Sequence, residues 1–272
     1  MKQHLIAIDL DGTTLNNESK VTPKTLETLR LLDRMGHKVC IVTGRPYRNS
    51  ETIYNQINIG GPIVNFNGAL CHIPYNPDWL PYHHFNLDRE LAFDIFQRQE
   101  EFGIDLLCAE GKNEIFASSS NLPQSPIYPL DPKQIHSFTK DKLTYNPTAL
   151  TLFTDINEQE TIANKLRQSY GDEIEVRTWG GFLPCLEIVR SGVNKAVGVE
   201  RIAHFYGVKH QNILAFGDED NDMEMIDFAG HGVALANGIE PLKQIANDIT
   251  PYTNDEDGLA RYLIDYFDLA IN

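Results

Sequence analysis

The sequence predicts an α/β protein whose parallel-sheet core is interrupted by an inserted α+β unit. Short apolar strands alternate with amphipathic helices in the first and last parts of the chain, which is the pattern of βαβ units. The composition changes near residue 74, where Pro74, Pro77 and Pro81 punctuate a stretch rich in tyrosine, tryptophan and histidine. The alternation resumes after Ser191. The first and last parts therefore form one domain, and the middle part is an insertion.

In the first part of the chain, a helix is predicted between two strands. Thr22 suits the N-cap, Pro23 the first helical position and Gly36 the end of this helix. Its apolar face is predicted to consist of Leu26, Leu29 and Leu32. Strands are predicted at residues 5–8, 39–42 and 63–66, and Asn67-Gly68 is a predicted tight turn.

The core domain is predicted at residues 1–83 and 189–272, and the inserted domain at residues 84–188. The insert mixes helices with hairpin-like strands, and a polar stretch at 118–132 interrupts them. Its predicted helices cover 88–102 and 157–170, and its predicted strands lie near 104–108, 114–117, 148–154, 174–178 and 182–189. In the last part, a helix is predicted at 195–207 and strands at 213–216, 233–235 and 249–250.

The 272-residue chain has a formal net charge of −15, which restricts its partners. Such a surface repels nucleic-acid backbones and anionic membranes, so neither is expected as a partner. A small anionic substrate is still compatible, because a local cation acts at contact distance while salt screens other charges beyond roughly 8 Å. A monomer or a homodimer is expected.

The four cysteines, Cys40, Cys71, Cys108 and Cys185, indicate a reducing compartment. None forms a CxxC pair, and no spacing of cysteine and histidine resembles a zinc site, so structural thiols are expected. The N-terminal residues lead directly into a short apolar stretch that ends at Asp9, which is unlike a signal peptide. No segment approaches the roughly 18 apolar residues of a membrane span. A cytoplasmic protein is therefore expected.

Polar side chains follow three of the predicted core strands. The first strand is followed by Asp9 and Asp11, the second by Thr43, and a late strand by Asp218. Lys195 stands near the start of a helix between them. In open α/β sheets, ligands bind beyond the carboxyl ends of the strands. These side chains are therefore expected to converge on one site.

The residue types at these positions suit the hydrolysis of phosphate monoesters. Asp9 is the predicted nucleophile, because a carboxylate with an unperturbed pKa of about 3.9 is ionised at neutral pH and needs no base. Mg²⁺ held by Asp9, Asp218 and a backbone carbonyl would relieve the repulsion of a phosphate dianion. Asp11 is predicted to act first as the acid for the leaving group and then as the base for the attacking water.

Three groups are predicted to contact the phosphate. Thr43 offers its hydroxyl, Gly44 its backbone amide and Lys195 a point charge. Uncatalysed hydrolysis of phosphate monoesters is among the slowest of reactions, and its catalysis depends mainly on positioning and charge neutralisation. A site with Mg²⁺, a lysine and amide donors supplies both.

Four motifs, in this order along the chain, resemble those of the haloacid dehalogenase superfamily. They are Asp9-Leu10-Asp11-Gly12-Thr13, Thr43-Gly44-Arg45, Lys195, and Gly217-Asp218-Glu219-Asp220-Asn221-Asp222. The insert between the second and third motifs resembles that of the Cof-like phosphatases with a type IIB cap. Further matches are Asn65-Phe66-Asn67-Gly68-Ala69, Leu186-Glu187-Ile188 and Asp257-Gly258-Leu259-Ala260, so the resemblance covers essentially the whole chain.

The resemblance implies a Rossmann-like core, an inserted cap, an aspartyl-phosphate intermediate and one Mg²⁺. By this resemblance, Asp9 and Asp218 bind the metal by their side chains and Asp11 binds it by its backbone oxygen. Leu10 and Asn221 contact the phosphate. Asp222 supports the metal site. The chain departs from the pattern at Glu219, where relatives often carry glycine. This change is expected to alter the outer shell of the metal and to leave the ligand set intact.

Two rival functions share parts of this pattern. A response-regulator receiver also has an acidic pocket, a phosphorylatable aspartate, a threonine and a lysine, but it is shorter, lacks the insert and needs no acid at the position of Asp11. A phosphomutase shares the Asp-x-Asp pair and a similar cap. The expected substrates are small phosphorylated metabolites, with sugar phosphates first and phosphorylated cofactors second. Candidate pocket residues in the cap are Arg177, Trp179 and Phe182.

Overall fold

The structure, a computed structural model, describes residues 2–123, 134–179 and 185–271. Phe182, the first residues of the strand predicted at 182–189, and residues 124–132 of the polar stretch lie outside the described residues, as does the side chain of Trp179. Within the described ranges, no helix is both long enough and apolar enough to cross a bilayer.

Helices alternate with strands along the described chain, which confirms the predicted α/β class. The strands are β1 (Leu5–Ile8), β2 (Lys38–Val42), β3 (Ile63–Asn65), β4 (Leu70–His72), β5 (His83–His84), β6 (Leu106–Glu110), β7 (Ile115–Ala117), β8 (Ile135–Ser137), β9 (Ala149–Phe153), β10 (Ile174–Trp179), β11 (Cys185–Arg190), β12 (Ile213–Gly217), β13 (His231–Ala234) and β14 (Asp248–Ile249). The helices are α1 (Pro23–Arg34), α2 (Tyr47–Ile57), α3 (Arg89–Gln97), α4 (Gln99–Phe102), α5 (Gln159–Tyr170), α6 (Lys195–Tyr206), α7 (Met223–Phe228), α8 (Glu240–Ile245) and α9 (Gly258–Phe267).

The chain divides into two compact units. The first contains the residues up to Gly44, then Ser50–His83, and the residues from Asn194 onward. The second contains Arg45–Asn49 and His84–Val193. The first unit is therefore built from both ends of the chain.

The larger sheet has eight strands in the order β14-β13-β12-β1-β2-β3-β4-β5, of which β14 to β4 belong to the first unit. The neighbours from β14 to β3 are parallel, and β4 is antiparallel to β3. Every residue of β1 is fully buried, as expected for a strand covered on both faces of its sheet. Since β12 and β2 flank β1 in the same direction, the residues that follow these three strands lie at one edge of the sheet.

The second unit contains a six-stranded sheet in the order β10-β11-β9-β6-β7-β8. Its neighbours are antiparallel except β7 and β8. One face packs on α3 and α5 through an apolar core that includes Leu91, Leu107, Leu150, Ile162 and Leu186. The opposite face carries the buried polar residues Glu110, Thr151, Arg177 and Glu187. The candidate pocket residue Arg177 therefore belongs to the polar face of this sheet.

The structure differs from the sequence-based expectations in three details. In α1 the buried residues are Thr25, Thr28, Leu29 and Leu32, while Leu26 is only half-buried. The helix predicted at 88–102 is divided into α3 and α4, because Arg98 (φ −99°, ψ 13°) leaves the helical conformation. Helices α2, α7, α8 and α9 and strands β4, β5 and β8 were not predicted; α7 and α8 have six residues each, too few to display a helical period.

Candidate active site

The first strand leads into a turn that carries two acidic residues. Asp9 follows β1 and precedes the five-residue turn Leu10–Thr14, which is closed by a backbone hydrogen bond between residues five apart. Gly12 in this turn has a φ of +74°, which side-chain-bearing residues rarely adopt. A Cβ atom at Gly12 would also lie 2.1 Å from Asp218 Oδ2. Glycine is therefore needed for this turn to approach Asp218.

A fully buried lysine joins two of the carboxylates. Lys195 is the first residue of α6, and the Asn194 side chain caps this helix by accepting a hydrogen bond from the Val197 amide. Lys195 Nζ lies 2.6 Å from Asp9 Oδ1 and 2.6 Å from Asp222 Oδ1. A charge without solvent exposure requires such partners. Lys195 therefore ties the start of α6 to the end of β1.

Asp222 is occupied by protein donors at both of its oxygens. Oδ1 accepts from Lys195, and Oδ2 accepts from the backbone amides of Asp218 at 3.0 Å and Glu219 at 3.1 Å. Thr13 Oγ1 in turn donates to Asp218 Oδ1 at 2.8 Å. These hydrogen bonds fix the turn after β12 and orient the Asp218 carboxylate.

Asp11 differs from the other acids of the site because it is exposed. It has extended backbone angles, with φ −77° and ψ 124°. Leu10, between Asp9 and Asp11, is fully buried. A carboxyl group accessible to solvent thus stands two residues beyond the buried Asp9.

The turns after β2 and β3 bring the candidate phosphate contacts together. The amide of the buried Thr43 donates to the Val64 carbonyl at 2.9 Å, and the Thr43 carbonyl accepts from the Asn67 amide at 3.1 Å. Asn221 Nδ2 donates to Asn67 Oδ1 at 3.0 Å. A Cβ atom at Gly44 would lie 3.2 Å from the Asn67 side-chain amide. Thr43, Gly44 and Asn221 therefore all lie next to Asn67.

Burial and crowding shift the pKa values in this group. Burial raises the pKa of Asp9 well above its usual value, with Lys195 opposing and the nearby carboxylates adding to the rise. Burial, followed by the charge of Asp222, raises the pKa of Asp218 to about 7. Burial disfavours the charged form of Lys195, but the carboxylates of Asp222 and Asp9 outweigh it and raise the pKa of Lys195. If all were ionised, these acids would carry more negative charge than one ammonium group balances.

The buried acids meet the requirements of a hard divalent cation. Asp9, Asp218 and Asp222 each place a carboxylate oxygen within 4.8 Å of the others. Within the described part of the chain, Asp9 Oδ2 and Asp218 Oδ2 accept no hydrogen bond, whereas both oxygens of Asp222 do. Carboxylate oxygens are ligands that Mg²⁺ prefers, and a cation would counter the raised pKa values. The donor set therefore fits Mg²⁺.

Sequence reasoning assigned no role to Thr13 or Asn67, although they contact Asp218 and Asn221. Both residues lie inside motifs that were identified in the sequence, so their position could have indicated a role at this site. Arg45, in the second motif, donates from Nη1 to the Asn49 carbonyl at 3.3 Å, which is a structural contact.

Known proteins resemble this chain along nearly its whole length. A sequence profile of the haloacid dehalogenase-like hydrolases matches residues 6–263. The 5-amino-6-(5-phospho-D-ribitylamino)uracil phosphatase YitU of Bacillus subtilis (strain 168) is 38% identical over 269 residues, which cover 98% of this chain and 99% of that protein. A haloacid dehalogenase-like hydrolase from Bacteroides thetaiotaomicron has a crystal structure that is 26% identical with a TM-score of 0.81, covering 98% of this chain and 100% of that one. A subclass IIB sugar phosphatase shares the fold at 21% identity, with a TM-score of 0.79 and 98% and 99% coverage.

We expect Lys195→Met to destabilise the metal-free protein by about 3–5 kcal/mol at neutral pH, because Asp9 and Asp222 lose their shared buried partner. Denaturant unfolding without divalent cations measures the difference. Lys20→Met is the matched control: Lys20 pairs with Glu18 in a solvent-exposed salt bridge, so its loss should leave the free energy of unfolding nearly unchanged. Equal stability of the two variants would contradict the buried charge arrangement.

Proposed function

The chain belongs to the haloacid dehalogenase-like hydrolases as a Cof-like phosphatase, and from this premise we propose that it hydrolyses a small phosphorylated metabolite through an aspartyl-phosphate on Asp9. The observation that carries the proposal is the placement of Asp9. Its Oδ1 accepts a hydrogen bond from Lys195 Nζ at 2.6 Å, and Asp218 lies beside it. This arrangement supports attack by the second oxygen of a buried, oriented carboxylate.

The proposed reaction has two steps. In the first, an oxygen of Asp9 attacks phosphorus, and the bond from phosphorus to the alcohol oxygen breaks as Asp11 gives that oxygen a proton. In the second, Asp11 removes a proton from a water molecule, whose oxygen attacks the phosphorus of the acyl phosphate. Inorganic phosphate leaves, Asp9 is restored as a carboxylate, and Asp11 is again protonated.

Mg²⁺ fits the oxygen donors of this site. Asp9 and Asp218 would hold it by their side chains and Asp11 by its backbone oxygen, while Asp222 and Lys195 keep the acids in place. When bound, the ion supplies positive charge that weakens the repulsion between the phosphate and the carboxylates.

The other phosphate contacts are proposed to come from the protein. Thr43 supplies a hydroxyl, and Gly44 supplies a backbone amide. Leu10 contributes through its backbone, because its side chain is buried in the core. Asn221 adds a side-chain amide, which Asn67 orients. Together these donors hold the phosphoryl oxygens while charge moves to the leaving group.

The proposed substrate is the phosphate monoester of a sugar or a sugar alcohol. The relative that is 38% identical is named for a phosphoribityl group attached to an aminouracil, and a relative in fold is named a sugar phosphatase. Both names describe a phosphate on a chain with several hydroxyl groups. Residues 84–188 are proposed to form the inserted domain that selects among such esters.

Asp9→Asn should lower kcat for p-nitrophenyl phosphate by on the order of 1,000-fold or more, because an amide is too weak a nucleophile. The variant should fold as well as the wild type, since it removes charge from a crowded group of acids. Phosphate release and circular dichroism measure the two effects. Asp227→Asn, which changes an exposed acid of α7, is the control and should keep wild-type kcat. Near-wild-type turnover of Asp9→Asn would mean that another residue attacks phosphorus.

Mg²⁺ should stabilise the protein as well as activate it. At a free concentration of about 100 times its Kd, the ion adds about 2.7 kcal/mol to the free energy of unfolding, which a rise in Tm reports. Asp218→Asn should reduce this rise, whereas Asp227→Asn should not. Hydrolysis that survives exhaustive chelation would rule out the metal requirement.

Among candidate esters, 5-amino-6-(5-phospho-D-ribitylamino)uracil should have the highest kcat/KM, by about tenfold or more over hexose phosphates, pyridoxal phosphate and flavin mononucleotide. Release of inorganic phosphate from each ester provides the comparison. If a hexose phosphate or a phosphorylated cofactor gave a higher kcat/KM, that ester and not the ribityl phosphate would be the substrate. Isomerisation of a sugar phosphate without phosphate release would identify a mutase.

A further inference from the structure

An exposed asparagine holds the turn that carries Asp11. Asn237 Nδ2 donates to the Gly12 carbonyl at 2.8 Å. The other side-chain atom, Asn237 Oδ1, accepts from the Asn254 backbone amide at 2.9 Å. Because an amide oxygen only accepts and an amide nitrogen only donates, these two contacts fix the orientation of the Asn237 side chain. Asn237 therefore presents a donor, and not an acceptor, to the turn.

A second asparagine holds the other end of the same turn. Asn254 Nδ2 donates to the Leu15 carbonyl at 2.8 Å, in a buried contact. The backbone amide of Asn254 is the group that binds Asn237. The carbonyls of Gly12 and Leu15 are thus held by two asparagines that are bonded to each other. This pair, Asn237 and Asn254, is called the asparagine clasp below.

The loop that contains Asn237 also holds the turn of Asp218. The Ile239 amide donates to the Asp218 carbonyl at 2.9 Å, and the Leu235 amide donates to the Gly217 carbonyl at 3.0 Å. One short loop therefore makes hydrogen bonds to both acidic turns of the site. The loop therefore links the backbone of the Asp11 turn to the backbone of the Asp218 turn.

We propose that Asn237 is a positioning residue that orients Asp11 for proton transfer to the leaving group. The proposal rests on the proposed function, in which Asp11 is the acid. Asp11 is exposed, and the next residue, Gly12, has a φ of +74°. The hydrogen bond from Asn237 adds to the Thr13 contact with Asp218 and fixes the orientation of the Gly12 carbonyl. The hydrogen bonds of the Asn237 side chain go to Gly12 and Asn254, neither of which has a part in the proposed reaction.

A comparison of two leaving groups separates this role from general support of the fold. A p-nitrophenolate ion is weakly basic and departs without a proton, whereas the alkoxide of an alkyl phosphate needs one. The quantity to compare is kcat/KM, because it covers the steps up to cleavage of the ester and excludes hydrolysis of the acyl phosphate. Loss of a positioned acid therefore lowers kcat/KM for the alkyl ester far more than for the aryl ester.

Asn237→Ala should lower kcat/KM for an alkyl phosphate by about 30- to 100-fold and for p-nitrophenyl phosphate by less than about 3-fold. Asp11→Asn is the reference variant, and it should also lower kcat/KM for the alkyl ester far more than for the aryl ester. Asn247→Ala is the matched control, because Asn247 accepts from the Gly232 amide elsewhere in the first unit. It should leave both values at the wild-type level.

If Asn237→Ala does not fold, Asn237→Asp tests the positioning role of Asn237 instead. Aspartate keeps the shape and the acceptor for the Asn254 amide and loses only the donor to Gly12. Its added charge repels the phosphate of either ester, so the readout is the ratio of kcat/KM for the alkyl ester to kcat/KM for the aryl ester, and this ratio should fall as in Asn237→Ala.

An equal loss for both esters, or no loss for either, would overturn the positioning role. The wild-type protein separates this outcome from a failure of the proposed function. If the wild type hydrolyses both esters and the variants show no selectivity, only the role of Asn237 is wrong. If the wild type hydrolyses neither ester, the phosphatase reaction and the role of Asn237 are both wrong.

Discussion

The site depends on one buried ammonium group. Lys195 reaches Asp9 at the end of β1 and Asp222 in the turn after β12, so α6 and both strands must be in place before any of these charges is balanced. A buried charge that has lost its partner is strongly destabilising. The sheet order β12-β1-β2 brings these partners together from the two ends of the chain. The charged group is therefore complete only when β1, β12 and α6 are packed together.

Neutral donors among the described residues stabilise the negative charge of Asp218 and Asp222. Asp222 accepts from two backbone amides, and Asp218 accepts from the Thr13 hydroxyl. Such donors orient a carboxylate without competing as cations with a metal ion. The arrangement leaves the pKa values of Asp9 and Asp218 raised, which is typical of sites that are arranged in advance for a charged ligand.

The convergence of Asp9, Thr43 and Asp218 was predictable because each directly follows a strand whose apolar run is plain in the sequence, and parallel strands end at one edge. Hydrogen bonds made by individual side chains leave no comparable pattern in the sequence. Asn237 meets Gly12 across 225 positions, and neither residue type nor spacing marks that contact. Helices α7 and α8 escaped prediction for a related reason, since six residues make fewer than two helical turns and show no amphipathic repeat.

The buried charged group comes entirely from segments before residue 84 and after residue 193. In evolutionary terms, the charged group and the intervening segment can therefore change separately. On the proposal that residues 84–188 select among esters, changes within that segment alter the preference for an ester and leave Lys195 and its carboxylate partners in their own unit.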